Sequence, residues 1–195
     1  MTSKILRVIK PEIRVLGVDD GKFTPHSKDP VLVVGVVFRG GYSLDGVMHT
    51  FLTVDEFDAT EKIAEMIICS PHYKQLRVIM LNGITFAGFN IVDIRSLNVQ
   101  TKLPVIAVMQ KKPNLAKIHQ ALMNLPNCED RWKAIINAGE IFQVTTRNGK
   151  QRIYIEFAGI EKDTAQAVLR LTSTRSNIPE ALRAAHLIAS GITTS

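Results

Sequence analysis

The hydrophobic positions of this chain form short apolar runs and longer stretches with helical spacing, separated by turn residues. Apolar runs bounded by breakers predict strands over residues 14–18, 31–38, 44–54, 78–82 and 105–109. Hydrophobic residues three and four apart predict helices over residues 58–70, 115–125, 132–139, 165–172 and 177–191, and a further helix between Phe89 and Leu103. The chain therefore mixes strands and helices along its whole length.

Turn residues suggest how the strands pair. Gly40-Gly41 separates two strands near the start and predicts an antiparallel hairpin there. Asn148-Gly149, a strong signal for a tight hairpin turn, separates the strands predicted over residues 140–145 and 151–157, which form a peripheral ribbon or a late addition to the sheet. Three antiparallel strands followed by alternating helices and strands predict an α/β fold, with a mixed sheet covered by helices on both faces.

Helix ends are marked by capping residues. Asp58 can cap the first helix, and Glu61 stands three residues later, as in a capping box. In the last helix, Pro179 stands near the start and Gly191 near the end, which is the usual asymmetry of these two residues. The ordinary role of Glu61 is therefore to stabilise a helix terminus.

Polar side chains follow two of the apolar strands. Asp19 and Asp20 end the first strand before Gly21, and Asn82 ends the strand over residues 78–82. If these strands pair in parallel, Asp19 and Asn82 lie side by side at the edge where such sheets bind ligands. With Glu61 as a third oxygen donor they could hold Mg²⁺ or Mn²⁺. The simpler interpretation is that each of them is a turn or capping residue.

His186 shares a helix face with Leu182 and Ala189, at spacings of four and three. A lone histidine on an apolar face is ordinarily a packed core residue that is hydrogen bonded. If the helix instead brings it to the strand ends, it could donate to a phosphate or transfer a proton near neutral pH. Both interpretations stay open at this point.

Composition narrows the class of protein. The 195 residues, 46% of them hydrophobic, fit one globular domain spanning residues 1–195. The apolar run over residues 31–38 is far shorter than the roughly 20 residues that cross a bilayer, and no secretory segment opens the chain, so we expect a cytoplasmic protein. Cys69 and Cys128 lack the spacing of a metal site or disulfide framework. The charge of +6 is compatible with nucleic acid as a partner.

Three stretches of the chain together resemble endonuclease V and, more closely, an uncharacterised, mostly archaeal family of endonuclease V-like proteins. They are VLGVD over residues 15–19, VIMLNG over 78–83 continuing to LPVIAV over 103–108, and IPEALRAAHL over 178–187. Their order and spacing cover nearly the whole chain. No phosphate-binding loop, dinucleotide fingerprint, nucleophile elbow or HExxH motif competes with this resemblance.

The resemblance implies a ribonuclease H-like fold whose acidic strand ends bind a divalent metal and cleave a nucleic-acid phosphodiester. By position, Asp19 and Glu61 take the places of two carboxylates of endonuclease V, and His186 takes that of a histidine or aspartate in its last helix. The implied catalytic residues are Asp19, Glu61 and His186. The implied metal ligands are Asp19, Glu61 and Asn82.

The chain also departs from endonuclease V. Asn82 stands where endonuclease V has a second strand-end aspartate, which removes one negative charge from a site for a hard cation. Gln110 stands where it has a lysine, although Lys111 is adjacent. The segment over residues 53–58, in place of a wedge containing proline and tyrosine, has neither residue and carries three acids.

Three functions follow from these observations. The first is a metal-dependent nuclease-like protein, whose contacts to nucleic acid we assign to Lys22, Arg39 and Lys111. The second, motivated by Asn82, is a noncatalytic module that binds nucleic acid or protein with the same fold. The third is a different hydrolase acting on another phosphoester, since one fold supports many activities.

Overall fold

The computed structural model describes residues 9–25, 27–147 and 152–193. The strands are β1 (Arg14–Asp20), β2 (Pro30–Arg39), β3 (Ser43–Thr53), β4 (Val78–Asn82), β5 (Thr85–Phe86), β6 (Asn90–Ile91), β7 (Val105–Met109), β8 (Phe142–Thr145) and β9 (Arg152–Ala158). The helices are α1 (Ala59–Ile68), α2 (Ile94–Thr101), α3 (Leu115–Leu122), α4 (Cys128–Ala138), α5 (Lys162–Thr172) and α6 (Glu180–Ile192). Every helix and long strand predicted from the sequence is present.

Seven strands form one mixed sheet in the order β3-β2-β1-β4-β7-β9-β8. The first three strands are antiparallel to their neighbours, as predicted. β4 pairs in parallel with β1 on one side and with β7 on the other, so the ends of all three strands meet at one edge. β9 is antiparallel to β7 and carries β8 at the edge, which confirms the late addition to the sheet.

Helices cover both faces of this sheet, and each face has its own apolar core. On one face Leu16 and Val18 of β1 pack with Ile63 of α1 and with buried residues of α2 and α4. On the other face Val15 packs with Leu182 of α6 and with buried residues of α5. Alternate residues of β1 therefore face different helices, which decides where each polar side chain at its end points.

The first helix is capped differently from the prediction. Asp58 is the N-cap residue, but its side chain makes no capping hydrogen bond. The side-chain oxygen of Asn90 instead accepts from the backbone N–H groups of Asp58 and Ala59, at 3.1 and 2.9 Å. Asn90 belongs to the short hairpin of β5 and β6, which the sequence pattern did not indicate. A distant amide thus replaces the local capping box.

The last helix begins and ends slightly off its predicted markers. Pro179 is the N-cap residue of α6, outside the helix, and Gly191 lies within its last turn. The predicted turn at Asn148-Gly149 falls outside the described residues. Both cysteines are free, as expected. Within the described ranges, no helix combines the length and apolar character needed to cross a membrane.

Candidate functional site

Asp19, at the end of β1, is the centre of a small polar cluster. Its side chain is almost fully buried, with 4% of its surface exposed. One carboxylate oxygen, Oδ2, accepts from Asn82 Nδ2 at 3.0 Å and lies 2.9 Å from Nδ1 of His186. The other oxygen, Oδ1, accepts from the backbone N–H of Asp20 at 3.0 Å. The predicted contact between Asp19 and Asn82 is therefore present.

His186 reaches this cluster from α6 and is not a core residue. Leu182 and Ala189 on the same helix face are buried against the sheet, whereas the His186 side chain is 61% exposed. The interpretation of His186 as a packed core histidine is wrong, because α6 passes over the end of β1 and leaves this position at the rim. A carboxylate only accepts hydrogen bonds, so Nδ1 is the donor to Asp19, and in the neutral ring the lone pair lies on Nε2.

A glycine in β1 allows α6 to lie so close to the strand. A Cβ atom added to Gly17 would come within 2.3 Å of the backbone carbon of Ala181. No side chain fits at that distance, so the helix backbone packs directly on the strand backbone. This close approach sets the height of α6 above the sheet, and with it the distance between Asp19 and His186.

Burial alters the acidity of both carboxyl groups at the end of β1. Loss of solvent raises the pKa of Asp19, and hydrogen bonds from Asn82, the Asp20 N–H and His186 partly oppose this rise. Loss of solvent also raises the pKa of Asp20 to about 6. Asp20 points to the opposite face of the sheet, where its Oδ2 accepts from the backbone N–H of Ala87 at 2.6 Å. Only Asp19 therefore faces His186.

A cavity of about 800 Å³ opens beside His186 and Asn82. Its lining includes Gln110 and four arginines that the sequence analysis did not single out: Arg147, Arg152, Arg175 and Arg183. Arg147 follows β8 and Arg152 begins β9, whereas Arg175 lies between α5 and α6 and Arg183 lies in α6. Their positions along the chain are far apart, so no local motif could have identified them.

The buried carboxylate of Glu180 binds two of the four arginines that line the cavity, Arg175 and Arg183. It is 2% exposed, and its Oε1 accepts from the backbone N–H of Arg175 at 2.8 Å. Its Oε2 pairs with Nε of Arg183, also at 2.8 Å. One buried carboxylate therefore orients the segment that leads into α6.

Glu61 lies away from this cluster. Its helix, α1, packs on the face of the sheet opposite to α6. Glu61 is exposed and lines a separate depression together with Asp93 and Asn137. The structure thus brings Asp19, Asn82 and His186 together without Glu61. The reason is that α1, which carries Glu61, and α6, which carries His186, lie on opposite faces of the sheet.

The three basic residues assigned to nucleic acid occupy different places. Arg39 pairs with Arg14 in the register of β1 and β2, at the end of β1 opposite to Asp19, and its Nη2 donates to Asp45 at 3.0 Å. Arg39 is therefore separated from the Asp19 cluster by the length of β1. Lys22 and Lys111 are exposed and follow β1 and β7 on the correct edge, but neither lines the cavity.

The groups at the strand ends could bind a divalent cation, but they offer it less negative charge than a pair of carboxylates would. Within the described ranges, no three or more His, Cys, Asp or Glu side chains are grouped so that they could hold a metal ion. Asp19 supplies one carboxylate, Asn82 could supply its amide oxygen if the amide turned over, and His186 could supply a ring nitrogen. Such a set fits a weakly charged site with open positions for water or substrate.

Comparison with known families identifies the chain. A sequence model of the family described as endonuclease dU matches residues 11–193. The chain belongs to the endonuclease dU family. A relative described as a UPF0215 protein, from Methanopyrus kandleri, is 51% identical over 188 residues, which cover 96% of this chain and 95% of the relative.

Solved structures extend the comparison of this endonuclease dU family member. A protein of unknown function from Archaeoglobus fulgidus has a TM-score of 0.85 at 37% identity, covering 94% of this chain and 99% of that one. Endonuclease V from Bacillus subtilis has a TM-score of 0.65 at 12% identity, covering 98% and 86%. Endonuclease V from Ciona intestinalis, bound to a 24mer DNA containing inosine, has a TM-score of 0.58 at 12% identity, covering 89% and 82%. The chain has the ribonuclease H-like fold of these nucleases, as expected.

Proposed function

We propose that this protein is an endonuclease that hydrolyses a phosphodiester bond next to deoxyuridine in DNA. The observation that carries the proposal is the Asp19–His186 pair, placed at the strand ends and opening into a cavity lined by four arginines. The family description supplies the reaction and the modified nucleoside. DNA bound to the Ciona endonuclease V supports nucleic acid as the substrate class. The proposal includes a cytoplasmic location, where a nuclease of this kind would meet DNA.

The mechanism follows from the hydrogen-bond pattern. Asp19 holds Nδ1–H of His186 and so leaves Nε2 free to take a proton from water as that water attacks phosphorus. The bond from phosphorus to the leaving oxygen breaks, and that oxygen takes a proton from solvent. Asn82 donates to the same oxygen of Asp19 and fixes its orientation. Asp19 therefore positions His186, which is the group that faces the substrate.

A divalent cation is part of the proposal. Asp19 and, with its amide turned over so that it no longer donates to Asp19, the side-chain oxygen of Asn82 would hold Mg²⁺ or Mn²⁺, which would neutralise charge on the phosphate. With one carboxylate in place of two, we expect weak binding of the ion. The Asn82→Asp variant restores the second carboxylate, so calorimetric titration with Mn²⁺ should show tighter binding than in the wild-type protein.

The test of activity compares two oligonucleotides that differ by one nucleoside, deoxyuridine or thymidine. We expect cleavage of the first in Mg²⁺ or Mn²⁺, and its loss in the Asp19→Asn and His186→Ala variants. Arg77→Ala is the matched control, because Arg77 precedes β4 at the end remote from Asn82. Absence of cleavage across metals and substrates would contradict the proposal.

Asn82 favours a second function, in which the protein binds nucleic acid without cleaving it. The amide lowers the charge available for a metal, while the arginine-lined cavity is kept. This function predicts salt-sensitive binding and no turnover in the wild-type protein. Cleavage that disappears in the Asp19→Asn variant would exclude it.

A further inference from the structure

The four arginines of the cavity have few acidic neighbours. Among the residues that line the cavity, none is aspartate or glutamate. Arg183 is paired with the buried Glu180, and Nη1 of Arg147 donates to the backbone oxygen of Arg175 at 2.7 Å. In the described part of the chain, the side chains of Arg152 and Arg175 have no carboxylate within ion-pair distance. The wall therefore carries positive charge that the protein itself does not neutralise.

Positive charges that share one cavity repel each other, and a bound polyanion relieves that repulsion. Guanidinium groups present several N–H donors in a plane, which matches the oxygens of a phosphate group. The arginines come from two different segments and line the same space. Their arrangement suits several phosphates in succession better than a single small anion.

The rest of the lining suits nucleotide bases. Asn82, Gln110 and Asn177 offer amide donors and acceptors, and Ile178 and Leu182 offer apolar contact. The cavity is a half-open cleft of about 800 Å³, which has room for a short stretch of strand and is too small to enclose a double helix. Only an unpaired strand presents its phosphates and its base faces together.

We infer that this arginine-lined cavity binds the phosphates of a single, unpaired nucleic-acid strand as it passes His186. The inference rests on the proposed function for the choice of nucleic acid, and it adds the strand state and the residues that hold the backbone. Arg152 and Arg175 are the main phosphate contacts, because no carboxylate of the described residues lies within ion-pair distance of their guanidinium groups. Arg183 is held in place by Glu180 and contributes as a fixed charge.

Binding is tested on the full-length protein in EDTA, so that cleavage does not interfere. The probe is a fluorescein-labelled, thymidine-only single strand of about 12 nucleotides, followed by anisotropy from about 50 to 300 mM salt. The variants are Arg152→Ala/Arg175→Ala and the charge-conserving Arg152→Lys/Arg175→Lys. The matched control is Lys74→Ala/Arg77→Ala, which removes two exposed charges at the opposite end of β4.

We expect the alanine pair to weaken binding about tenfold and to lower the salt slope by about 1.4, which is about 0.7 for each phosphate that the variant no longer neutralises. The lysine pair should retain most of the affinity, and the control should bind like wild type. A paired duplex of the same length should bind more weakly than the single strand. Cleavage activity plays no part in these measurements, so their outcome is separate from that of the proposed function.

Three results would overturn the inference. The first is equal loss of affinity in the alanine pair and in the Lys74/Arg77 control, which would indicate a diffuse charge effect. The second is tighter binding of the duplex than of the single strand. The third is displacement of the probe by micromolar pyrophosphate, which would assign the cavity to a small anion. Circular dichroism of the alanine pair checks that the fold is retained.

Discussion

The two faces of the sheet use arginine in opposite ways. On the α1 face, Arg131 is 1% exposed, and its guanidinium donates to backbone oxygens of Asp55, Glu56, Phe89 and Pro126. It also lies 5.5 Å from the ring centre of Phe57. At the strand ends beside α6, Arg152 and Arg175 are exposed and line an open cavity.

The surroundings of these arginines distinguish a structural charge from a binding charge. Arg131 is surrounded by carbonyl oxygens that satisfy its donors, so it holds the segment between β3 and α1 and has little left for a ligand. The guanidinium groups of Arg152 and Arg175 remain available at the surface. We therefore expect substitutions on the α1 face to change stability, and substitutions on the α6 face to change activity and binding.

The largest expected effect is on activity and comes from Asp19→Asn. The variant loses the carboxylate that orients His186, so we expect cleavage to fall about a thousandfold. Because burial raises the pKa of Asp19, ionised Asp19 is costly to the fold, and the neutral amide should not lower stability at pH 8. Single-turnover cleavage and urea unfolding measure the two effects. A large loss of stability with retained cleavage would contradict this division between the faces.

The next effect is on stability and comes from Arg131→Ala. Four backbone oxygens lose a buried donor, so we expect the free energy of unfolding to fall by about 4 kcal/mol. Arg175→Ala is the matched substitution on the other face and should change it by less than about 0.5 kcal/mol. Urea denaturation of both variants checks this contrast. Similar losses in the two variants would show that the cavity arginine also has a structural role.

Glu156, on the α1 face, differs from Arg131 because its charge opposes folding. It is a buried acid, and loss of solvent raises its pKa to about 7. The folded pKa lies above the unfolded value of 4.5, so the folded state binds the proton more tightly. Stability from this group is therefore complete below about pH 4.5 and is lost as the pH rises through 7.

Glu156→Gln removes this dependence on pH. We expect the variant to be more stable than wild type by up to about 3 kcal/mol at pH 8, and to be nearly equal to it at pH 4.5. Thermal or urea unfolding from pH 4.5 to 8 measures the difference between the two proteins. A difference that does not change with pH would refute the assignment to Glu156.

The smallest effect concerns the helix cap on the α1 face. Asn90→Ala removes the oxygen that accepts from Asp58 and Ala59, and should cost about 2 kcal/mol. Asp58→Ala removes only a side chain that pairs with Lys62 and accepts from Asn90, and should cost about 1 kcal/mol or less. Unfolding measurements on the two variants rank them. A larger loss of stability in Asp58→Ala than in Asn90→Ala would show that the Asp58 side chain caps α1.

Strand pairing could be predicted from the sequence, because the relevant signals are local. Apolar runs and turn residues located the strands, and parallel pairing of β1 with β4 placed Asn82 beside Asp19. The helical pattern alone left the position of His186 open, since a helical face does not show how far a helix extends over a sheet, whereas the resemblance to endonuclease V indicated that His186 belongs to the site. Glu61 matches a glutamate of endonuclease V by its position along the chain. Side chains alternate between the two faces at the end of β1, and α1 lies on the face that Asp19 does not face.

Contacts between distant residues account for what could not be predicted. Asn90 caps α1 from 31 residues away, and a local capping box gives no sign of it. The arginines of the cavity come from the ends of β8 and β9, from the segment before α6 and from α6 itself, and only the folded sheet brings them together. Arg39 belongs to β2 and pairs with Arg14 at the start of β1. The antiparallel register therefore places it at the end of β1 opposite to Asp19.

Gly17 does more than permit close packing. Because α6 rests on a strand position without a side chain, the separation of Asp19 and His186 is set at Gly17, two residues before the carboxylate that orients His186. Even one methyl group added at Gly17 would push α6 away from β1 and so change the distance between Asp19 and His186, while every polar residue stayed the same. The proposed cleavage is therefore sensitive to a single apolar substitution that touches none of the polar groups of the site.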